Sequence, residues 1–275
     1  VSLGRMVQVQ TVTSVDRDLL APFIDQLDDH LRLDLEHGPR DGFVAAIASD
    51  GDRVVGYAQA SRGNDGFVVD RVGEPRDMLL RSVLHQLPGE ELVTWWTDRN
   101  DDASLAGALG LRPGRSLLQM TVPLPLEVTT DVVTRPFVVG RDEAAWLEVN
   151  NAAFDWHAEQ GGWDLATLEQ REREPWFDPD GFLLHERDER LAAFCWTKQH
   201  DGDVGEIYVI AVHPDYHGLG LGRALTVAGL QHLAADGATT GMLYVDADNE
   251  SAVGLYRALG FSVVRTNRAF TRGTQ

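Results

Sequence analysis

Val212-His213-Pro214-Asp215-Tyr216-His217-Gly218-Leu219-Gly220-Leu221-Gly222-Arg223 joins a β-branched stretch, Glu206 to Val212, to a long apolar one, Leu221 to Ala235. The first predicts a strand. The second predicts a helix apolar on most sides, as a helix packed against a sheet is. Glycines at alternate positions let the backbone turn tightly, so that successive N–H groups converge on one point. The helix behind the loop adds its own unpaired N–H groups and the positive end of its dipole. Together they form a cradle for an anion of pyrophosphate size, and Arg223 can add a charged contact. Glycines are also common in strand-to-helix turns for geometric reasons alone, so by themselves they leave a purely structural turn open.

Outward from this loop, the second half alternates strands and helices. Arg141 to Ala153 reads as a helix, Phe182 to Glu186 as a strand, Arg187 to Arg190 as a charged turn, and Leu191 to Thr197 as a second strand. After the Leu221–Ala235 helix come a strand at Gly241 to Val245 and a helix at Ala252 to Leu259. Strands at Phe261 to Val264 and Ala269 to Thr271 are expected to close the sheet. The first half carries a fainter echo: strands at Phe43 to Ile47, Val54 to Ser61 and Phe67 to Val72, a helix at Met78 to His85, a strand at Leu92 to Thr97 and a helix at Ala103 to Leu109. Gly110-Leu111 stands where Gly260-Phe261 stands in the second half. A duplicated α/β domain is expected, each copy a mixed sheet flanked by helices. Pro123 and Pro125 exclude a helix at the junction, and the polar residues after them read as a linker. The expected division is 1–126, a linker at 127–131, and 132–275.

A length of 275 residues suits two domains, and a hydrophobic fraction of 43% supplies their cores. No apolar run approaches the roughly 18–20 residues of a membrane span. The stretch Val1 to Met6 lacks the apolar core of a secretory signal, so a cytoplasmic chain without membrane partners is expected. Cys195 is the single cysteine, which excludes an internal disulfide and argues against a cysteine-based metal site; no metal is expected. A formal net charge of −19 repels phosphate backbones and argues against nucleic-acid partners. The same charge tolerates an amine-bearing small substrate, though solubility alone would also explain it.

A strand ending Ile210-Ala211-Val212, then His-Pro, the glycine loop and an apolar helix resembles the acyl-CoA site of the GNAT superfamily of N-acetyltransferases. There the loop reads Gln or Arg, two residues, Gly, any residue, Gly or Ala. His217 to Gly222 fills this pattern, with His217 departing at the first position. Asn249, Tyr256 and Gly260-Phe261 match the family's Asn, six residues, Tyr, three residues, Gly-Phe segment. On residue chemistry alone, Asn249 is a sound helix N-cap, Gly260 a sound helix stop, and Tyr256 a fair core tyrosine. The resemblance implies two tandem domains of this fold and acetyl-CoA as donor. It implies cofactor contacts from Ile210, Ala211, Val212, His217, Gly218, Leu219, Gly220, Leu221, Gly222, Arg223 and Asn249, and makes Tyr256 the proton donor to the departing thiolate.

A narrower resemblance rests on Asn150-Asn151-Ala152-Ala153-Phe154, on His157 to Trp163, on Trp176 to Gly181, and on Phe194 to Lys198 with Gly205 to Val209. These blocks are similar to a tandem actinobacterial branch of the superfamily that acetylates the cysteinyl amine of desacetylmycothiol, a cysteine–glucosamine–inositol conjugate. An ammonium must lose a proton before attacking a thioester. Glu206 opens an otherwise apolar strand, which suits either a solvated strand end or a general base; the resemblance implies the base. It also places Glu159, Lys198 and Tyr244 on the substrate, with Asp29 of the first half as a further candidate. The stretch Val72-Gly73-Glu74-Pro75-Arg76-Asp77 holds one glycine and acids where the loop should be, so the first copy is expected to bind no cofactor. Two rival functions are a different amine or protein N-terminal acetyltransferase and a non-catalytic acyl-CoA sensor. A monomer acting on a small molecule is the expectation.

Overall fold

The computed structural model describes residues 7–27, 34–35, 38–39, 41–63, 66–156, 160–200 and 202–273. Asp29 and Glu159, two of the expected substrate contacts, lie outside them.

Contacts divide the chain into two compact units, Val1–Ser116 with Asn267–Gln275, and Leu117–Thr266. The first opens with β1 (Gln8–Val12), β2 (Val44–Asp50), β3 (Arg53–Arg62) and β4 (Phe67–Gly73), neighbours paired antiparallel in that order. Helix α1 (Arg76–Leu84) crosses over to β5 (Val93–Thr97), which runs parallel to β4, and α2 (Asp102–Ala108) follows. Leu79, Leu80, Val83 and Leu84 of α1 are buried against Ala58, Ala60 and Val69, so that one face of the sheet carries the helix.

Strand β6 (Arg112–Pro123) enters the second unit at Leu117, and β7 (Arg135–Pro136), α3 (Glu143–Ala153), α4 (Leu165–Glu172), β8 (Phe182–Arg187), β9 (Arg190–Gln199) and β10 (Val204–Val212) follow in it. Helix α5 (Leu221–Ala235), β11 (Thr240–Asp246), α6 (Glu250–Ala258) and the start of β12 (Ser262–Arg272), as far as Thr266, complete it. From β6 the order is β6-β11-β10-β9-β8-β7, with β10 and β11 parallel and the other neighbours antiparallel. Asp188 and Glu189 turn the β8–β9 hairpin at φ 53° and 61°, the left-handed pair that a two-residue hairpin needs. Helix α5 lies close on one face. A Cβ added at Gly229 would stand 2.5 Å from Cys195 Sγ and 2.8 Å from an Ile207 methyl, so only glycine allows this approach. Leu225, Leu230 and Leu233 fill that layer.

The opposite face is aromatic. Trp196 stacks on Phe182 at 4.3 Å, and Trp146 of α3 meets Trp196 edge-on at 5.9 Å. Edge-on and offset packing of this kind adds to what area burial alone supplies. It fixes α3 over the sheet.

Two sequence expectations change. One strand, β12 (Ser262–Arg272), replaces the two expected at Phe261–Val264 and Ala269–Thr271, and its residues Arg268–Arg272, part of the first unit, pair with β5. The compact units also divide before the expected 127–131 linker, because Leu117–Pro123 of β6 pair with β11. Strand hydrogen bonds set unit membership here, and a proline at the last residue of a strand does not prevent them. Residues 124–134 do carry neither helix nor strand. Among the described residues, no helix is long and apolar enough to cross a membrane.

Candidate active site

Strands β10 and β11 are partners only from Val204↔Thr240 to Ile207↔Leu243. Beyond that point β10 runs on to Val212, so its edge over Tyr208–Val212 has no strand partner on that side among the described residues. The same point carries a β-bulge, since the β9 register shifts between Ile207 and Val209. The bulge reverses the alternation of faces. Before it, Ile207 packs with α5; after it, Ile210 and Val212 do, while Val209 and Ala211 join the aromatic layer. Bulges re-aim side chains in this way.

The loop after β10 has the form its glycines predict. Gly218 and Gly220 take φ values of 79° and 74°, and a Cβ on either would meet nothing within 4 Å. The space in front of the loop is therefore open. No described residue accepts from the N–H groups of Leu219 to Arg223, which lead into the N-terminus of α5. His217 is different: its Nε2 lies 3.0 Å from the Val212 carbonyl and its N–H donates to Pro214 O at 3.2 Å. These two contacts brace the turn at His217. Arg223 is exposed at the start of the helix. Unpaired N–H groups facing open space are what a pyrophosphate requires.

Glu206 is 7% exposed, directly across from Lys198 on β9. The Lys198 ammonium lies over the rings of Trp176 (4.7 Å) and Tyr208 (5.9 Å), a cation–π arrangement that fixes a long side chain. Burial pushes the Tyr208 phenol up; Arg171 opposes that shift, and Glu206 and Glu174 add to it. Tyr244, two residues beyond Met242, the β11 partner of Glu206, falls on the same face of the sheet and is exposed. The structure thus brings Glu206, Lys198 and Tyr244 to one face. It also shows what the sequence reading missed. His200 Nε2 stands 2.6 Å from Glu206 Oε2, and Trp176 holds Lys198. The spacing Lys198-Gln199-His200 before a hairpin was the available signal. Asn150 and Asn151 have a structural use: Asn150 Nδ2 donates to Gln160 O (2.8 Å) and Asn151 Nδ2 to Trp163 O (2.8 Å), which anchors that segment to α3.

Tyr256 of α6 is 8% exposed within the layer under α5, its ring 5.7 Å from that of Phe261. Burial holds its phenol well above the ordinary tyrosine value, and the nearby Cys195 thiol adds to the shift. Tyr256 and Glu206 thus belong to opposite faces of the sheet. Asn249 caps α6 by accepting from Ala252 N–H at 3.1 Å, and Gly260 follows the helix at φ 93°.

The matching region of the first unit is built otherwise. Strands β4 and β5 also part, after Val69↔Trp95. The fully buried Asp102 sits near that parting, accepting from Arg76 Nη1 and Thr97 Oγ1, both at 2.6 Å, with Arg71 Nη2 at 3.6 Å. Glu74 Oε2 accepts from the Arg76 N–H at 3.0 Å, placing a carboxylate at the head of α1 where an anion would bind.

A sheet-packed helix entered through an open, anion-cradling glycine loop, next to a strand edge left bare, defines the GNAT class of acetyltransferases, and the profile of the acetyltransferase (GNAT) family matches residues 150–261. Solved structures share the fold: a GCN5-related N-acetyltransferase from Sphaerobacter thermophilus (TM-score 0.72, 20% identity, 97% of each chain) and a tandem GNAT protein from the clavulanic acid biosynthesis pathway (TM-score 0.67, 15% identity, 98% of this chain and 100% of that one). Mycothiol acetyltransferases of Streptomyces avermitilis (42% identity, 86% of this chain, 82% of that one) and Streptomyces scabiei (39%, 96% and 94%) are similar over most of their length. The chain belongs to the mycothiol acetyltransferase family, and it is an acetyltransferase of two tandem GNAT domains.

Proposed function

We propose that this enzyme moves the acetyl group of acetyl-CoA to the cysteinyl amine of desacetylmycothiol, in the second unit. The observation that carries this reading is the buried Glu206 carboxylate on the strand whose edge is bare from Tyr208 onward and leads into the open loop. When bound, acetyl-CoA supplies an activated thioester. The N–H groups from Gly218 to Arg223 hold its pyrophosphate, and the free edge at Ile210, Ala211 and Val212 aligns its pantetheine arm beside Glu206. Arg223 and Asn249 are proposed to add further contacts to the cofactor.

Glu206 takes a proton from the acceptor ammonium, freeing the amine for attack. Tyr256, kept protonated by burial, donates to the departing sulfur from the other face. Lys198, fixed on Trp176, binds oxygens of the sugar–inositol part, and Tyr244 on the same face of the sheet is a further contact. Glu159 is a further proposed contact on the acceptor. An acceptor screen with acetyl-CoA tests the reading: desacetylmycothiol should have a far higher kcat/KM than aminoglycosides or ribosomal peptides, and a better peptide substrate would overturn it. Lys198→Glu should raise the KM of desacetylmycothiol while leaving acetyl-CoA affinity nearly unchanged, as steady-state kinetics and calorimetry would report.

The first unit supports no second cofactor site. Its helix N-terminus is already capped by Glu74, and Asp102 ties up Arg71 and Arg76. Calorimetry should give one acetyl-CoA per chain, and two equivalent tight sites would contradict this.

A further inference from the structure

His200 has no part in the roles described so far. It follows Lys198 by two residues on the turn from β9 to β10, where its own N–H donates to Val204 O at 3.0 Å. The imidazole is therefore carried by a hydrogen-bonded hairpin rather than by a free loop. Its Nε2 stands 2.6 Å from Glu206 Oε2, with side-chain exposures of 31% for His200 and 9% for Glu206. An ionised carboxylate only accepts, so Nε2–H donates. Bonds of this kind to an ionised acceptor are short and strong, and they fix orientation as well as energy. A carboxylate engaged through Oε2 has its rotamer set, with Oε1 as its other proton-accepting atom.

We propose that His200 is a positioning residue for acetyl transfer, holding Oε2 of Glu206 so that Oε1 faces the acceptor amine. This rests on Glu206 being the base. The ammonium proton moves to Oε1 and leaves to water, while His200 keeps its Nε2 proton throughout. A misplacement of about 1 Å at a reacting group can cost roughly 10²-fold in rate, which is the scale on which losing this bond should register.

The test compares His200→Ala, His200→Gln and Glu206→Gln in the full-length enzyme. His200→Ala should lower kcat roughly 10- to 10²-fold with acetyl-CoA affinity and melting temperature nearly unchanged. His200→Gln, whose amide can donate to Oε2, should recover part of the loss. Added imidazole should restore His200→Ala in a saturable way and leave Glu206→Gln unaffected. Wild-type kcat in His200→Ala alongside a crippled Glu206→Gln overturns the role of His200 alone. Loss of activity that neither glutamine nor imidazole relieves overturns it in favour of packing. If His200→Ala does not fold, a glutamine variant no better than Glu206→Gln overturns it too. An active Glu206→Gln instead overturns the base assignment beneath it.

Discussion

Glu206→Gln lowers kcat roughly 10²–10⁴-fold, the range expected when a general base is removed, while the protein binds acetyl-CoA as before. The substitution keeps the shape of a 7% exposed side chain in a sheet interior, so packing hardly changes. What is lost is basicity. The residual rate should climb with pH, because an α-amino group with a pKa of about 7.7–8.0 frees itself as pH rises. Tyr256→Phe gives a different signature. It removes one hydroxyl from a packed ring, leaves folding and acetyl-CoA binding in place, and slows transfer without relief at high pH. Near-normal turnover in that variant, with chemistry shown to be rate-limiting, would return Tyr256 to a packing role. A Glu206→Gln enzyme with wild-type kcat would remove the base from the mechanism altogether.

Gly220→Asp should abolish acetyl-CoA binding in calorimetry, and with it turnover. Two facts set the size of this effect. Gly220 sits at φ 74°, which costs an L-residue about 1–2 kcal/mol, aspartate being among those that visit the region most readily. Its added Cβ meets nothing within 4 Å, so the protein should fold with only a modest drop in melting temperature. The carboxylate then occupies the open space that the loop's N–H groups face, and a second anion is repelled from it. Gly220→Asn has nearly the same shape and backbone strain without the charge. It should keep measurably more affinity than the aspartate variant. Equal loss in both would mean that bulk, not charge, closes the cradle.

The comparison with the first unit shows why a shared fold does not carry a shared site. Both units have a parallel strand pair that parts and a helix following the strand. In the second, no described residue accepts from the N–H groups of Leu219 to Arg223; in the first, Glu74 accepts from the Arg76 N–H at the helix head, and the buried Asp102 holds Arg71 and Arg76 nearby. Sequence already pointed there, since Gly73-Glu74-Pro75 cannot turn as Gly218-Leu219-Gly220 does. The partners of Asp102 could not be read from sequence, because Arg71, Arg76 and Thr97 come from separate elements.

Local pattern alone determined most elements of this protein. The α5 helix runs from Leu221 to Ala235 as its apolar run predicts, and the β8 to β11 strands lie within a few residues of their β-branched and aromatic stretches. The glycine loop was legible because backbone geometry at glycine depends on the residue itself. Three things were not. Strand β6 was overlooked because Pro113 and Gly114 open it and Pro123 ends it, and such residues argue against a strand until a partner is present. The C-terminal strand's pairing with β5 depends on a segment well over a hundred residues away, and no local signal records it. The face on which each β10 side chain lies was decided by the bulge at Ile207–Val209. Simple alternation would put Glu206 on the same face as Ile210 and Val212. The bulge instead gives Glu206 the aromatic face with Lys198 and His200, and leaves Ile210 and Val212 under α5. An extra residue in a ladder is defined only by the strand beside it, so sequence supplied the carboxylate and tertiary pairing supplied its direction.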